Sequence, residues 1–168
     1  FFTLMGMVLG FAMISFLEWQ LPEGIESSEK AYRICAMLVF LYLSWFIHIV
    51  IHESGHLIGG LLSGYTFSSF RIGSFMWLKE NGKIVSRKLS LAGTGGQCLM
   101  VPPQMQDGKI PVILYNLGGC IMNLVAGAVF LIIYLLIPNG TMISLFCLMM
   151  VLIGVTIALM NGIPLRLG

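Results

Sequence analysis

What most constrains the fold of this chain is a set of four apolar runs, at residues 1–17, 36–62, 112–137 and 141–160. A helix crossing the hydrocarbon of a bilayer needs about 20 mostly apolar residues, and the last three runs reach that length. The first run is shorter. Because the sequence opens Phe1-Phe2-Thr3 and stops at Gly168, just after a Pro-containing turn, both termini read as truncated. The run has neither the basic leader nor the small-residue cleavage site of a secretory signal, so it is expected to be a retained span.

Composition supports lipid as the main solvent. The residues are 58% hydrophobic and 10% charged, whereas soluble domains carry about 25% charged residues. Lipid offers backbone N–H and C=O groups no partner, so helices are the natural spanning element. The expected fold class is therefore all-α, a polytopic transmembrane helical bundle forming a single membrane domain over residues 1–168. The lipid bilayer of the cell membrane is its surroundings. Net charge is +2 without a dense basic run, which removes nucleic acid from the expected partners. Cys35, Cys98, Cys120 and Cys147 are scattered, with no CxxC spacing, and read as small apolar fillers.

The connectors set orientation. Residues 18–33 hold Glu18, Glu23, Glu26 and Glu29 against Lys30 and Arg33, and Pro138-Asn139-Gly140 joins the last two spans. Most of the positive charge sits in the connector 65–111, at Arg71, Lys79, Lys83, Arg87, Lys88 and Lys109. The positive-inside bias places that connector in the cytoplasm. His52 and the stretch after Met160 then approach the cytoplasmic face. Within the connector, Phe67–Leu78 and Ile84–Ser90 flank Glu80-Asn81-Gly82-Lys83, and Asn-Gly favours a two-residue hairpin turn. A small β-hairpin at the cytoplasmic membrane surface is expected. Ala92-Gly93-Thr94-Gly95-Gly96-Gln97 lacks the Lys and Ser/Thr of a phosphate loop, so no nucleotide is expected. A Gly-rich edge there could instead capture an extended substrate by β-addition.

The most specific motif is His52-Glu53-Ser54-Gly55-His56. Histidines four apart share one helix face and can direct ring nitrogens at one metal ion. Zinc at that position lowers the pKa of a water molecule towards neutrality, and the Glu53 carboxylate beside it can take the proton and later deliver it to a departing amine. An ionisable cluster inside an apolar helix is costly and marks a functional site by default. His48 lies one turn earlier on the same face, but three ligands along a straight helix do not converge on one tetrahedral ion. It is expected to be pore-facing or hydrogen-bonded. Asn123, deep in the third span, could steady an oxyanion, hold substrate backbone or bond a neighbouring helix. Gly118, Gly119 and Gly127 allow close helix approach.

With these residues the chain resembles the site-2 protease family of intramembrane zinc metalloproteases, as a divergent member. The resemblance runs from about Ala36 onwards, through His52-Glu53-Ser54-Gly55-His56, Asn116-Leu117-Gly118-Gly119-Cys120-Ile121-Met122-Asn123 and Asn161-Gly162-Ile163-Pro164. It implies a zinc metalloendopeptidase holding one Zn2+ per chain on His52 and His56, with Glu53 catalytic and membrane-anchored peptides or proteins as substrates. Asn161 has a family-based claim to oxyanion contact, and its residue type also suits a helix end. The family's third ligand, an aspartate in an Asp-Gly pair, is expected at or beyond Gly168. Asp107, which precedes Gly108, reads as a loop turn.

Two other classes compete with this expectation. One is a metal-binding membrane protein without peptidase activity. The other is a transporter-like helical protein using His48, His52 and Glu53 as a proton or cation relay.

Overall fold

The computed structural model describes residues 10, 11, 15, 24, 26–89, 94–105 and 109–163. Most of the first apolar run, Asp107 and Pro164 onwards lie outside them, and so do the expectations attached to those positions.

Three long helices dominate the described residues: α1 (Ser27–Leu62), α2 (Ile113–Leu136) and α3 (Met142–Gly162). Each is long and apolar enough to cross a membrane. They arise where the apolar runs predict, with one extension. α1 begins some nine residues before its apolar stretch, on a polar segment where Glu29 pairs with Arg33 at 3.0 Å, one helical turn apart. At 36 residues α1 is about 54 Å long at 1.5 Å per residue, well beyond the hydrocarbon thickness of about 30 Å. Arg33 also donates to the Gly140 carbonyl at 2.9 Å, pinning the α2–α3 turn beside the start of α1. α3 starts on Thr141, whose hydroxyl accepts from the Ser144 N–H at 3.1 Å and satisfies a free helix-end donor.

The burial pattern inverts that of a soluble protein. Leu38, Val39, Tyr42, Leu124, Val125, Leu135 and Leu136 are exposed on the helix surfaces, while Ser44, His48, Asn123 and Ser144 are fully buried. Such a pattern suits a hydrocarbon surround, where apolar side chains lose nothing by facing outward and polar ones must find partners inside. Apolar packing is concentrated at the Arg33 end, where Met37, Leu145 and Met149 meet Phe40 and Leu41. At the other end α1 and α2, running antiparallel, come together backbone to backbone. A Cβ on Gly55 would run into the Gly118 carbonyl, and one on Gly59 into the Leu114 carbonyl. Two glycines four apart thus bring the helices close enough for their polar side chains to meet.

The connector holds more strand than the sequence predicts. The expected hairpin is present as β2 (Phe75–Glu80) and β3 (Lys83–Lys88), with Glu80 opposite Lys83 and Asn81 and Gly82 both at positive φ. It belongs to a four-stranded antiparallel sheet of order β3-β2-β1-β4, with β1 at Thr66–Ile72 and β4 at Gly96–Val101. An all-α bundle carrying only a hairpin is therefore corrected to a helical bundle carrying a sheet. The long first arm expected over Phe67–Leu78 breaks at Gly73, where φ is +56°, and Ile72 pairs directly with Phe75. A second tight turn at Gly73-Ser74 was not legible because Gly-Ser pairs occur in many loops. The Gly-rich stretch then leads into β4, which pairs with β1 from Thr66 to Ile72 and forms one outer edge of the sheet.

Candidate metal centre

The sheet sits over the end of α1 that carries the histidines. Tyr65 stacks on Tyr115 with ring centroids 4.8 Å apart, and the Tyr115 hydroxyl donates to the Cys98 carbonyl at 2.9 Å, tying α2 to β4. Gly95 packs on Ile49, and Gly96 so closely on Glu53 that a Cβ there would lie 2.6 Å from the glutamate Cγ. Between sheet and helices opens a cleft of about 710 Å³ whose lining includes His52, Glu53, His56, Asn116, Asn161 and the β4 residues Gly96 to Leu99. That volume lies within the range of small-molecule and peptide sites.

Helical spacing puts His52 and His56 on one face, and the fold brings their Nε2 atoms to 3.1 Å. Each ring is held from behind. His56 Nδ1 lies 2.7 Å from the Tyr115 carbonyl, and His52 Nδ1 lies 3.0 Å from the Asn123 amide. A carbonyl can only accept, so His56 carries its hydrogen on Nδ1, and in the neutral ring Nε2 presents a lone pair to the cleft. Two corners of a tetrahedral zinc site with ordinary Zn–N lengths are about 3.3 Å apart, so the two Nε2 atoms fit one cation. No group of three or more His, Cys, Asp or Glu side chains placed to hold a metal occurs among the described residues. The position expected for a third ligand lies beyond them.

Glu53 is buried against β4, next to both histidines along the helix and beside Gly96. Behind β4, Arg71 is 1% exposed and ties the approach to that strand together. Its guanidinium donates to the carbonyls of Gly73 at 2.6 Å and of Thr94 and Gly96 at 3.4 Å, and to the Thr94 hydroxyl. The same desolvated setting pushes the Cys98 thiol up to about 11, by burial first and by the Glu53 carboxylate second.

The remaining sequence candidates separate by position. Asn161 lines the cleft while its Nδ2 donates to the Ile157 carbonyl at 2.9 Å. Asn123 is fully buried, with its amide lodged between His48 and His52. His48 is hydrogen-bonded and fully buried: Nε2 lies 2.8 Å from the Met150 carbonyl and Nδ1 3.1 Å from Asn123. Gly119 allows more than helix approach, since a Cβ there would lie 2.6 Å from the His52 ring. Sequence reading missed Tyr115, whose carbonyl orients His56, and Arg71, which counted only as positive charge. A lone Arg in a strand otherwise free of charge was the available signal for the second.

Comparison of the chain with protein families, characterised proteins and solved structures gives no match.

Proposed function

We propose that this protein is an intramembrane zinc metalloendopeptidase that hydrolyses membrane-anchored peptides or proteins. The observation that carries the proposal is the pair of Nε2 atoms 3.1 Å apart on the cleft wall, both rings held from behind and Glu53 adjoining them. His52 and His56 would hold the ion, with an aspartate beyond Gly168 as the expected third ligand. When bound, zinc supplies Lewis-acid polarisation of a carbonyl and makes water acidic enough to lose a proton near neutral pH. Glu53 accepts that proton on its carboxylate and returns it to the departing amine nitrogen. Asn161, on the cleft wall, would hold a carbonyl oxygen of the substrate.

A helical peptide bond is shielded by its own hydrogen bonds, so a transmembrane substrate must unwind before cleavage. As an outer strand whose residues line the cleft, β4 could take an extended substrate as a further strand where its edge is not already bonded, as the Cys98 carbonyl is by Tyr115. Replacing Gly95 and Gly96 by proline should abolish cleavage, and unaltered cleavage would refute strand addition. The basic residues of the sheet connector favour a cleft opening to the cytoplasm.

Metal analysis and Glu53→Gln test the main reading. The purified full-length protein should hold one zinc, and Glu53→Gln should keep it while cleaving about 100- to 10,000-fold more slowly. Normal cleavage by Glu53→Gln sinks the proposal. A relay is the second reading, favoured by the unbroken chain of contacts from Met150 through His48, Asn123 and His52 to His56. It requires no stoichiometric zinc. A protein that binds zinc but cleaves no peptide would instead be the metal-binding alternative.

A further inference from the structure

The hydrogen-bond chain behind His52 can be resolved atom by atom. Its far end is the Met150 carbonyl, 2.8 Å from His48 Nε2. Since a carbonyl only accepts, the hydrogen of His48 is on Nε2, and in the neutral ring Nδ1 is an acceptor. The amide of Asn123 is 3.1 Å from that Nδ1 and 3.0 Å from His52 Nδ1. With its oxygen towards His48, the amide would demand hydrogens on both nitrogens of His48. That is a cation at a fully buried position, and among the described residues neither of its hydrogen-bond partners is a carboxylate. Turning the amide by 180° exchanges its two ends at almost no change in shape and removes the charge. Nδ2 then donates to His48 Nδ1, and Oδ1 accepts from the Nδ1–H of His52. The hydrogen of His52 is thereby committed to Nδ1, and its Nε2 lone pair faces that of His56 at 3.1 Å. Two lone pairs at that separation repel unless a cation lies between them.

We propose that His48 is a positioning residue for the metal centre, acting through the Asn123 amide to hold His52 in the tautomer whose Nε2 can ligate. This rests on the zinc reading given above, and it assigns His48 a role in neither metal contact nor proton transfer. The space around it is built for one ring: a Cβ on Gly154 would lie 2.6 Å from His48 Cε1. Outer partners of this kind contribute about 10- to 100-fold to metal affinity.

A glutamine can replace the imidazole in this role, because its amide offers one donor for the Met150 carbonyl and one acceptor for Asn123 Nδ2 without any titratable proton. The experiment is a Co2+ and Zn2+ titration of the full-length protein in detergent, comparing wild type, His48→Gln, His48→Ala and Asn123→Ala. Folding is checked by thermal unfolding. His48→Ala and Asn123→Ala should bind about 10- to 100-fold more weakly, while His48→Gln should stay close to wild type. Equal affinity in wild type and His48→Ala, or a His48→Gln as weak as His48→Ala, overturns the inference and leaves the zinc reading standing. A wild type that takes up neither ion overturns the zinc reading and this inference together. Should the His48 variants not fold, nitrogen NMR of the imidazoles in the zinc-loaded wild type decides. Hydrogen on Nε2 of His48 and on Nδ1 of His52 is expected, and a doubly protonated His48 or a hydrogen on Nε2 of His52 overturns it.

Discussion

The two buried polar clusters beside Glu53 are built on opposite principles. In the helical one, His48, Asn123 and His52 bond mainly to one another; in the sheet, the Arg71 guanidinium bonds mainly to main-chain carbonyls. The difference follows from the backbone. Helices satisfy their own N–H and C=O groups, so a buried polar side chain is free to bond another, as Asn123 does with both His48 and His52. Where β1 turns into β2 and β4 begins, the carbonyls of Gly73, Thr94 and Gly96 are met by one guanidinium. A neutral side-chain chain can set the direction of a ring nitrogen, whereas a cation on carbonyls holds a piece of backbone in place. On the proposed function, the first arrangement would orient a metal ligand and the second would steady a strand beside the substrate.

The sharpest way to break this contrast is to force the helices apart. Gly55→Ala gains about 1 kcal/mol in helix propensity, but its Cβ meets the main chain of Gly118 and Gly119, which cannot rotate away. The clash should win, destabilising the protein by about 3 kcal/mol and abolishing metal uptake, while the sheet retains its hydrogen-exchange protection. Loss of protection in both regions would show that the two clusters are one unit.

Arg71→Met addresses the other side. It leaves the carbonyls of Gly73, Thr94 and Gly96 without their guanidinium donor, at a cost of about 1–3 kcal/mol in all, because Gly73 and Thr94 are exposed and water can take its place there. We expect thermal destabilisation of that size, faster amide exchange over residues 94–101, and unchanged zinc affinity. If zinc affinity falls as steeply as in Asn123→Ala, the separation of roles is wrong.

Cys98, between the clusters, gives a smaller and pH-dependent effect. Its thiol titrates near 9.0 in the unfolded chain and is pushed up to about 11 in the fold, so the folded state keeps its proton through that window. The associated stability is complete below pH 9 and declines as pH rises towards 11. Alkylation of Cys98 at neutral pH should lag far behind that of the exposed Cys35, which mass spectrometry can follow. Equal rates would mean that the sheet does not cover this position. The smallest effect is expected far from both clusters. Glu29→Gln removes an exposed i,i+4 pair with Arg33, at a cost of about 0.3–0.5 kcal/mol, and should leave metal binding untouched.

Much of this arrangement can be read along the chain. The apolar runs place all three described helices because hydrophobic length is a local property, and Asn81-Gly82 marks its turn because only certain residues tolerate positive φ. The spacing of His52 and His56 puts them on one face wherever the helix goes. The expected arm over Phe67–Leu78 covered most of β1, but β4 and its pairing with β1 were not visible, since a strand pairing Thr66 with Val101 depends on partners far along the chain. Arg71 looked like surface charge for the same reason: nothing local distinguishes a solvated cation from one enclosed by a returning loop.

By itself the sequence determined a membrane-suited bundle and two imidazoles able to share a ligand, because helix period and apolar length are repeated every few residues along one segment. Only the tertiary structure decided which groups stand behind those imidazoles and which strand covers Glu53. Those choices join residues 59, 71 and 75 positions apart, where contact is set by the meeting of backbones at Gly55 and Gly118 and not by anything adjacent in the chain.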